Sequence, residues 1–413
     1  MEKITLLQDK HIVLGATGSI AVYKAVDLAS KLTQAGAHVD VIMTESAQKF
    51  VAPITFQAMT GRPVYTDMWQ ADSSGGLPTH IAHVGLGEGA DLIAIIPATA
   101  NTIAKLASGQ SNDLLTVTVL ASRAPMLIAP AMDGGMYEHP ATQANVNTLV
   151  ERRVYLVDPD VGRFASGLTG RGRLPDTPTL IGHVRRVLAT DALRGKHIIA
   201  TAGPTREAFD PVRFISNHSS GKQGYAIAQA ALDAGADVTL FSSVNLPTPI
   251  GAKLVPFSSA NDLLEGVLEA SSHADALIMA AAVADFRPAE QAEQKIKKKG
   301  DDEGLRITLA RNPDILKTLH DMRQNTPSAI NLSVVVGFAA ESQNLLDNAE
   351  NKVKRKGLDF IVANNISAND AGFAVDNNRV VFLHKDGTHE TFDLMPKSQV
   401  AEAIIQRVVD LLD

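Results

Sequence analysis

Short apolar runs rich in β-branched residues alternate with longer amphipathic stretches along the chain, and this alternation limits the fold more than any other feature. The run 11-HIVLGA-16 is typical of a buried strand. The stretch after it has apolar residues at helical spacing, namely Val22, Val26, Ala29 and Leu32. Strands that alternate with helices predict a parallel sheet covered by helices on both faces.

The same plan occurs twice. In the first half, further strand-like runs lie at 35–43, 92–98, 126–131 and 154–158. The second half starts again with 197-HIIATA-202 and continues with runs at 237–241, 276–281, 334–338 and 359–365. A chain of 413 residues has room for roughly two to three domains. We therefore predict an α/β protein with two doubly wound, mostly parallel-sheet (Rossmann-like) domains, at residues 1–190 and 191–413.

Composition narrows the classes of partner. A net charge of -7 at pH 7 argues against nucleic acid as a bulk partner. The start of the chain, MEKITLLQDK, lacks the apolar core of a signal peptide, and no apolar run reaches the ~18 residues that a membrane span needs. The chain has no cysteine, which excludes disulfides and thiolate chemistry. We expect a cytoplasmic protein that binds neither membrane nor nucleic acid.

Several turns in the first half directly follow a predicted strand. The turn 15-GATGSIA-21 opens a helix, so Thr17, Ser19 and free backbone N–H groups can meet an anion there. Taken alone, its glycines are better explained by helix–strand packing. Thr44, 97-PATANTIAK-105 and 129-APAMDGGMYEHP-140 stand at other strand ends. Together these turns supply hydroxyls and amides suited to a flavin phosphate and ring.

These segments resemble the flavoprotein family of cysteine decarboxylases, and phosphopantothenoylcysteine decarboxylase in particular. PATANT corresponds to the family's PASANT pattern, and 130-PAMDGGM-136 to its PAMNxxM pattern. Spacing to the pair Ala90–Asp91 matches His83, and not His80, to the family's catalytic histidine. The resemblance implies FMN as cofactor, bound by Gly15, Thr17, Gly18, Ser19, Thr44, Ala98, Thr99, Ala100 and Asn101.

Two positions depart from that family pattern, and both concern the last chemical step of the reaction, which is protonation of the enethiolate. Asp133 replaces the asparagine of PAMNxxM, and Ser166 stands where the family has the cysteine that protonates the enethiolate. A hydroxyl is a far weaker acid than a thiol, whose reference pKa is ~8.5. A carboxylic acid buried beside a substrate carboxylate can hold a proton. We hypothesise that Asp133 supplies the proton, directly or through Ser166; the alternative is a flavin domain that stops at the enethiol or is inactive.

The second half resembles phosphopantothenate–cysteine ligase. The matching segments are 201-TAGPTREAFDPVRFISNHSSGKQG-224, 282-AVADF-286, 295-KIKK-298, 311-RNPDIL-316 and 337-GFAAES-342. The resemblance implies an acyl-cytidylate intermediate bound by Arg213 and Asn217, catalytic roles for Asn217 and Lys295, and Mg²⁺ with unassigned ligands. It also implies a CTP site formed by Ala280, Ala281, Asp285, Lys295, Pro313, Asp314, Ile315, Leu316, Phe338, Lys352 and Lys356.

Both resemblances occur in one order, which is that of the bifunctional coenzyme A biosynthesis family. This implies ligation of L-cysteine to 4'-phosphopantothenate with CTP, followed by FMN-dependent decarboxylation to 4'-phosphopantetheine. It also implies homo-oligomers, with trimers of the flavin domain and dimers of the ligase domain. The alternatives are an active ligase joined to another flavin enzyme, such as a prenyltransferase, or to a non-catalytic flavoprotein. A nicotinamide oxidoreductase would need GxGxxG and an acidic residue after the second strand, and neither half has that pattern.

Overall fold

The computed structural model describes residues 3–69, 82–297, 304–341, 345–365 and 376–413. The chain divides into two compact units, Met1–Ala189 and Thr190–Asp413. None of the described helices is long and apolar enough to cross a membrane.

The first unit is built around a parallel sheet. Within its described residues the strand order is β3-β2-β1-β4-β5-β6, and all neighbouring strands are parallel. A separate antiparallel hairpin is formed by β7 and β8. The strands are β1 (His11–Ala16), β2 (His38–Met43), β3 (Val64–Tyr65), β4 (Leu92–Ala98), β5 (Met126–Pro130), β6 (Tyr155–Leu156), β7 (Asp160–Arg163) and β8 (Thr169–Arg173).

Helices cover both faces of this sheet, which explains why every residue of β4 is buried. One face packs against α1, α2 and α8, and the other against α4, α5 and α7. The helices of this unit are α1 (Val22–Gln34), α2 (Pro53–Thr60), α3 (Ala82–Gly89), α4 (Ala100–Ser108), α5 (Leu114–Ala121), α6 (Gly134–Tyr137), α7 (Pro140–Glu151) and α8 (Thr177–Leu188).

The second unit has a larger, mixed sheet. In the described residues its order is β13-β12-β9-β14-β17-β18-β20-β21, parallel up to β18 and antiparallel beyond it. Its strands are β9 (His197–Ala202), β12 (Asp237–Ser242), β13 (Ala252–Pro256), β14 (Ala276–Met279), β17 (Val334–Glu341), β18 (Phe360–Asn365), β20 (Val380–His384) and β21 (His389–Thr391).

The described residues of the second unit also form three short antiparallel ribbons: β10 (Arg206–Ala208) with β11 (Phe214–Ser216), β15 (Phe286–Pro288) with β16 (Leu309–Arg311), and β19 (Asn377–Asn378) with β22 (Met395–Pro396). One face of the main sheet packs against α9 and α13, and the other against α10, α11 and α12. These helices are α9 (Lys222–Asp233), α10 (Ala260–Ala270), α11 (Ile315–Asn325), α12 (Leu345–Lys356) and α13 (Lys397–Leu412).

The predicted fold class is confirmed, because both units carry a mostly parallel sheet with helices on both faces. The strand expected at 154–158 is only the two-residue β6. The strands β13, β20 and β21 were not predicted. β13 has a largely exposed edge position, so it lacks the apolar signal on which the prediction rested.

Candidate active sites

A cavity of about 940 Å³ lies at the carboxyl end of the first unit's sheet. Residues that follow β1, β2, β4 and β5 contribute to its wall, which is where doubly wound sheets bind ligands. Asp133 and Ser166 line it. So do six of the nine predicted flavin residues: Gly18, Ser19, Thr44, Thr99, Ala100 and Asn101.

The other three predicted flavin residues are buried and do not line this cavity. Gly15 packs against α5, since a Cβ atom there would lie 2.6 Å from Cδ1 of Leu115. Ala98 is fully buried at the end of β4. The Thr17 hydroxyl donates to the carbonyl oxygen of Pro97 at 2.7 Å and accepts from the amide of Thr99 at 3.1 Å. Thr17 therefore joins the turn after β1 to the turn after β4.

The cavity wall fits a phosphate group. A Cβ atom at position 18 would lie 2.4 Å from Cβ of Ser46, so only glycine lets the turn after β1 approach the turn after β2. Thr99 caps α4, with its hydroxyl accepting from the amide of Thr102 at 3.4 Å. A helix start offers backbone N–H groups and a positive dipole end to an anion.

Asp133 and Ser166 meet at one side of this cavity. Ser166 Oγ donates to Asp133 Oδ2 at 2.9 Å, and the amide of Gly135 donates to Asp133 Oδ1 at 3.2 Å as Asp133 caps α6. Ser166 belongs to the turn between β7 and β8, so the hairpin places it over α6. The two positions that depart from the family pattern are thus hydrogen-bonded neighbours.

His83 lies elsewhere. It is the second residue of α3, half-buried, and it does not line the cavity. His80, the rejected candidate, is outside the described residues.

Four cationic residues line the first cavity without having been predicted: Lys24, Lys105, Arg163 and Arg173. Burial lowers the pKa of Lys24, and nearby Arg173 lowers it further. Lys24 Nζ donates to the carbonyl oxygens of Leu174 at 2.6 Å and Pro175 at 3.2 Å. Lys24 and Lys105 each lie on the helix that follows a predicted turn. Helical spacing counted from that turn could therefore have identified both residues.

A second cavity, of about 360 Å³, lies at the carboxyl end of the second unit's sheet. Asn217 lines it, with its Nδ2 donating to the carbonyl oxygen of Ala282 at 3.2 Å. All the predicted CTP residues except Lys295 line it as well: Ala280, Ala281, Asp285, Pro313, Asp314, Ile315, Leu316, Phe338, Lys352 and Lys356.

Helix starts build two sides of this second cavity. Asp314 caps α11 by accepting from the amide of Lys317 at 3.2 Å, and Lys356 Nζ lies 3.0 Å from Asp314 Oδ1. Gly221 precedes α9 with a φ of 75°, and a Cβ atom there would lie 2.5 Å from Cγ2 of Val244. The segment 219–224 lines the cavity, as the predicted phosphate turn requires.

Three side chains with unsatisfied oxygens also line the second cavity. Within the described part of the chain, Gln223 Oε1, Asn364 Oδ1 and Asn378 Oδ1 are buried and have no hydrogen-bond partner. A buried polar atom without a partner costs about 1–3 kcal/mol, which a bound ligand with hydroxyl or amino groups can recover. Asn364 lies at the end of the strand predicted at 359–365. The rule that ligands bind at the carboxyl ends of parallel strands could therefore have identified it. Asn378 had no such signal.

Lys397 stands at the start of α13 and lines the same cavity. Burial lowers its pKa, and nearby Lys222 lowers it further, whereas Asp376 raises it. Lys222 Nζ in turn lies 2.6 Å from Asp376 Oδ1. This side of the cavity thus combines cations with the phosphate turn at α9.

Arg213 and Lys295 do not line the second cavity. Arg213 forms an ion pair with Asp210, and Lys295 is exposed on the segment that follows β15. The sequence therefore predicts a single ligase site, whereas the structure divides its residues into two groups. One group lines the second cavity, and the other, Arg213 and Lys295, does not.

Two family models match the chain. The flavoprotein model covers residues 2–189, and the model of the DNA/pantothenate metabolism flavoprotein C-terminal domain covers residues 193–412. Over 411 residues the chain is 44% identical to the coenzyme A biosynthesis bifunctional protein CoaBC of Bacillus subtilis (strain 168), and the match covers 98% of each chain. The chain belongs to the bifunctional coenzyme A biosynthesis family.

Other members are similarly close. The CoaBC protein of Vibrio cholerae serotype O1 is 42% identical over 404 residues, covering 97% of this chain and 98% of its own. A crystal structure of the C-terminal domain of a CoaBC protein matches 54% of this chain and 98% of its own, with 38% identity and a TM-score of 0.45. Membership in the coenzyme A biosynthesis family confirms the predicted bifunctional enzyme, a phosphopantothenate–cysteine ligase and phosphopantothenoylcysteine decarboxylase, and it does not favour the alternative flavin functions.

Loss of the Thr17 hydroxyl should weaken the first site of this family member. Thr17→Val leaves the buried Pro97 oxygen and Thr99 amide without partners, so we expect a loss of about 1–3 kcal/mol in the free energy of unfolding of the first unit. Flavin should then be released at a lower temperature, measured by flavin fluorescence during heating. Thr33→Val, which removes a bond within α1, is the control. Equal release temperatures for the two variants would contradict the role given to Thr17.

Proposed function

We propose that the two reactions are divided between the two units. Met1–Ala189 decarboxylates 4'-phospho-N-pantothenoylcysteine with FMN, and Thr190–Asp413 joins 4'-phosphopantothenate to L-cysteine with CTP. The observation that carries this division is that each unit has its own cavity at the carboxyl end of its own sheet, with a different set of polar groups. The residue roles below are part of the same proposal, and the cytoplasmic location stays a prediction.

In the ligase unit, the phosphopantothenate carboxylate attacks the α-phosphorus of CTP and pyrophosphate leaves. The amine of cysteine then attacks the acyl carbon, and CMP leaves. We assign the nucleotide phosphates to the helix start at Gly221 and to Lys352 and Lys356, because a polyanion needs several cations and N–H donors. We assign Asn217 to the acyl-cytidylate, since its side chain lines the cavity.

We propose that Mg²⁺ binds together with the nucleotide. Among the described residues no group of three His, Asp or Glu side chains is placed to hold a metal ion. Mg²⁺ commonly binds through substrate phosphates with one or two carboxylates and several waters. Asp285 and Asp314 line the cavity, and either carboxylate can serve.

In the flavin unit, the turns at Gly18, Ser19 and Thr99 would hold the FMN phosphate and orient the ring. When bound, FMN would supply the oxidation of the cysteinyl thiol and the return of the electrons after CO2 is lost. Asp133 and Ser166 share a hydrogen bond in the cavity wall, and we place the substrate carboxyl group beside them. We assign to Asp133 the proton that the enethiolate carbon receives, directly or through Ser166.

His83 acts as the base that takes the thiol proton. Because His83 lies outside the cavity of its own unit, we place it in the cavity of an adjacent subunit of a homo-oligomer. The flavin unit as a trimer and the ligase unit as a dimer are the assemblies we propose.

Replacement of His83 tests this assignment. His83→Asn should keep bound FMN and full ligase activity but lose CO2 release, because an imidazole is the group that accepts a proton near neutral pH. The measurement is CO2 release from 4'-phospho-N-pantothenoylcysteine, with His139→Asn as the control, since His139 is exposed and does not line the cavity. Retained decarboxylation in His83→Asn, with its loss in His80→Asn, would show that the spacing selects the wrong histidine.

A further inference from the structure

Asp210 has an unusually complete set of hydrogen bonds for a carboxylate that the proposed mechanism does not use. It lies at the tip of the β10–β11 hairpin and is 1% exposed. Its Oδ1 accepts from the amides of Val212 and Arg213, each at 2.8 Å. Its Oδ2 accepts from Arg213 Nε at 3.0 Å and from Arg213 Nη2. These bonds fix the conformation of the hairpin tip and the direction of the Arg213 side chain.

The same carboxylate reaches a second, distant segment. Oδ2 of Asp210 also accepts from the amide of Ile296 at 3.2 Å, and Arg213 Nη2 donates to the carbonyl oxygen of Ile296 at 3.0 Å. Nearby, the amide of Ala292 donates to the carbonyl oxygen of Phe209 at 3.0 Å. The hairpin tip is therefore bound to both sides of Lys295, at residues 292 and 296.

We propose that Asp210 is a positioning residue for the ligase reaction, which holds the segment carrying Lys295 against the hairpin carrying Arg213. The inference rests on the catalytic role that the resemblance to the ligase implies for Lys295, which we include in the proposed function. It explains how two residues 82 positions apart can serve one intermediate while neither lines the cavity in this conformation. Asp210 itself touches no substrate.

A negative charge is what this position requires. The donors that converge on Asp210 include a guanidinium group, and the Arg213 hydrogen bonds hold the pKa of Asp210 well below its usual range although burial opposes this. In Asp210→Asn the side chain has a single oxygen acceptor. Its NH2 group must then face either the amides of the hairpin tip or the donors of Arg213 and Ile296. In either orientation of the amide, either the hairpin tip or the segment at Ile296 loses its hydrogen bonds to residue 210.

The test is a double-mutant cycle on the first half-reaction in the full-length protein. Asp210→Asn should slow the formation of acyl-cytidylate from CTP and phosphopantothenate by about 10-fold or more, the scale of a hydrogen bond to a charged group. Asp210→Asn combined with Lys295→Gln should lose less than the product of the two single losses, because Asp210 acts in part through Lys295. Independent losses that multiply would overturn the proposal, and so would a rate within about twofold of wild type in Asp210→Asn.

A second readout does not depend on activity. Trypsin should cut after Lys295 or Lys297 about 10-fold faster in Asp210→Asn, because local opening exposes the segment. Glu390→Gln is the matched control: Glu390 forms a two-pronged ion pair with Arg407 at 2.8 and 2.7 Å and lines neither cavity. Unchanged cleavage in Asp210→Asn, or equal acceleration in Glu390→Gln, would overturn the proposal.

Ile296→Pro covers the case in which Asp210→Asn fails to fold. It removes the amide that Asp210 binds and leaves the Asp210–Arg213 pair intact. The same loss of acyl-cytidylate formation is expected, and full activity in Ile296→Pro would overturn the proposal. If Lys295→Gln is itself fully active, the role proposed for Lys295 is wrong, whereas the trypsin experiment still measures whether Asp210 holds the segment.

Discussion

Replacing Lys295 with glutamine is expected to abolish acyl-cytidylate formation while leaving decarboxylation of supplied 4'-phospho-N-pantothenoylcysteine intact. The triphosphate of CTP carries several negative charges, and in the role proposed for Lys295 its ammonium group neutralises charge that develops as pyrophosphate leaves. Removing one such preorganised group costs about 100-fold or more in rate. Asp285, which lines the cavity, directly precedes β15, and the segment that carries Lys295 continues from that strand. The measurement is pyrophosphate release in the absence of cysteine.

Lys297→Gln is the matched control for Lys295→Gln. Lys297 is also exposed, has the same charge and stands two residues along the same segment. We expect its rate to stay within about threefold of wild type, because a solvated lysine contributes little. Equal losses in the two variants would mean that the segment acts by its charge alone. A joint fall of ligase and decarboxylase activity in folded Lys295→Gln would contradict the assignment of the two reactions to separate units.

Replacing Asp133 with asparagine should divide the decarboxylase cycle in two. The amide keeps the shape of the carboxyl group but has no acidic proton, so reduction of the flavin by substrate and CO2 release should persist. The aminoenethiol should then accumulate, with flavin reoxidation slowed by about 100-fold or more, within the range of general acid catalysis. Stopped-flow absorbance of the flavin, with mass analysis of the product, separates the two halves.

Two further variants define the path of that proton. Ser166→Ala removes the group that donates to Asp133 Oδ2 at 2.9 Å. If the hydroxyl is the bridge, reoxidation should slow in Ser166→Ala as well. Asp158→Asn is the control, because Asp158 pairs with Arg171 and does not line the cavity. Full turnover to 4'-phosphopantetheine in Asp133→Asn would exclude Asp133 as the acid.

The sequence predicts the architecture well where burial sets the residue pattern. β4 and β14 are buried along their whole length, and such runs of apolar residues are visible without a structure. The missed elements include the edge strand β13 and three-residue ribbon strands such as β10. Their residues are largely exposed or too few to form a periodic pattern, so local sequence carries little signal. The internal strand β20 was missed as well, although three of its five residues are buried.

The residues of the candidate sites also divide into those that the sequence could predict and those that it could not. Thr99, which directly follows β4, could be predicted because parallel strands bring their carboxyl ends to one edge, whereas Phe338 follows only from the resemblance to the ligase. Asn378 and Lys397 could not, since they reach the second cavity on the antiparallel ribbon β19–β22 and the start of α13. Asp210 was missed because its role depends on a hydrogen bond to a segment 86 positions away.

The central claim is that one chain carries out two consecutive reactions in two separate cavities. Incubation of the purified protein with 4'-phosphopantothenate, L-cysteine, CTP and Mg²⁺ tests it directly, with pyrophosphate, CO2 and 4'-phosphopantetheine measured together. We predict a protein with a flavin spectrum that releases pyrophosphate only when phosphopantothenate is present and forms the three products in equal amounts. Pyrophosphate release accompanied by accumulating 4'-phospho-N-pantothenoylcysteine and no CO2 would contradict the claim.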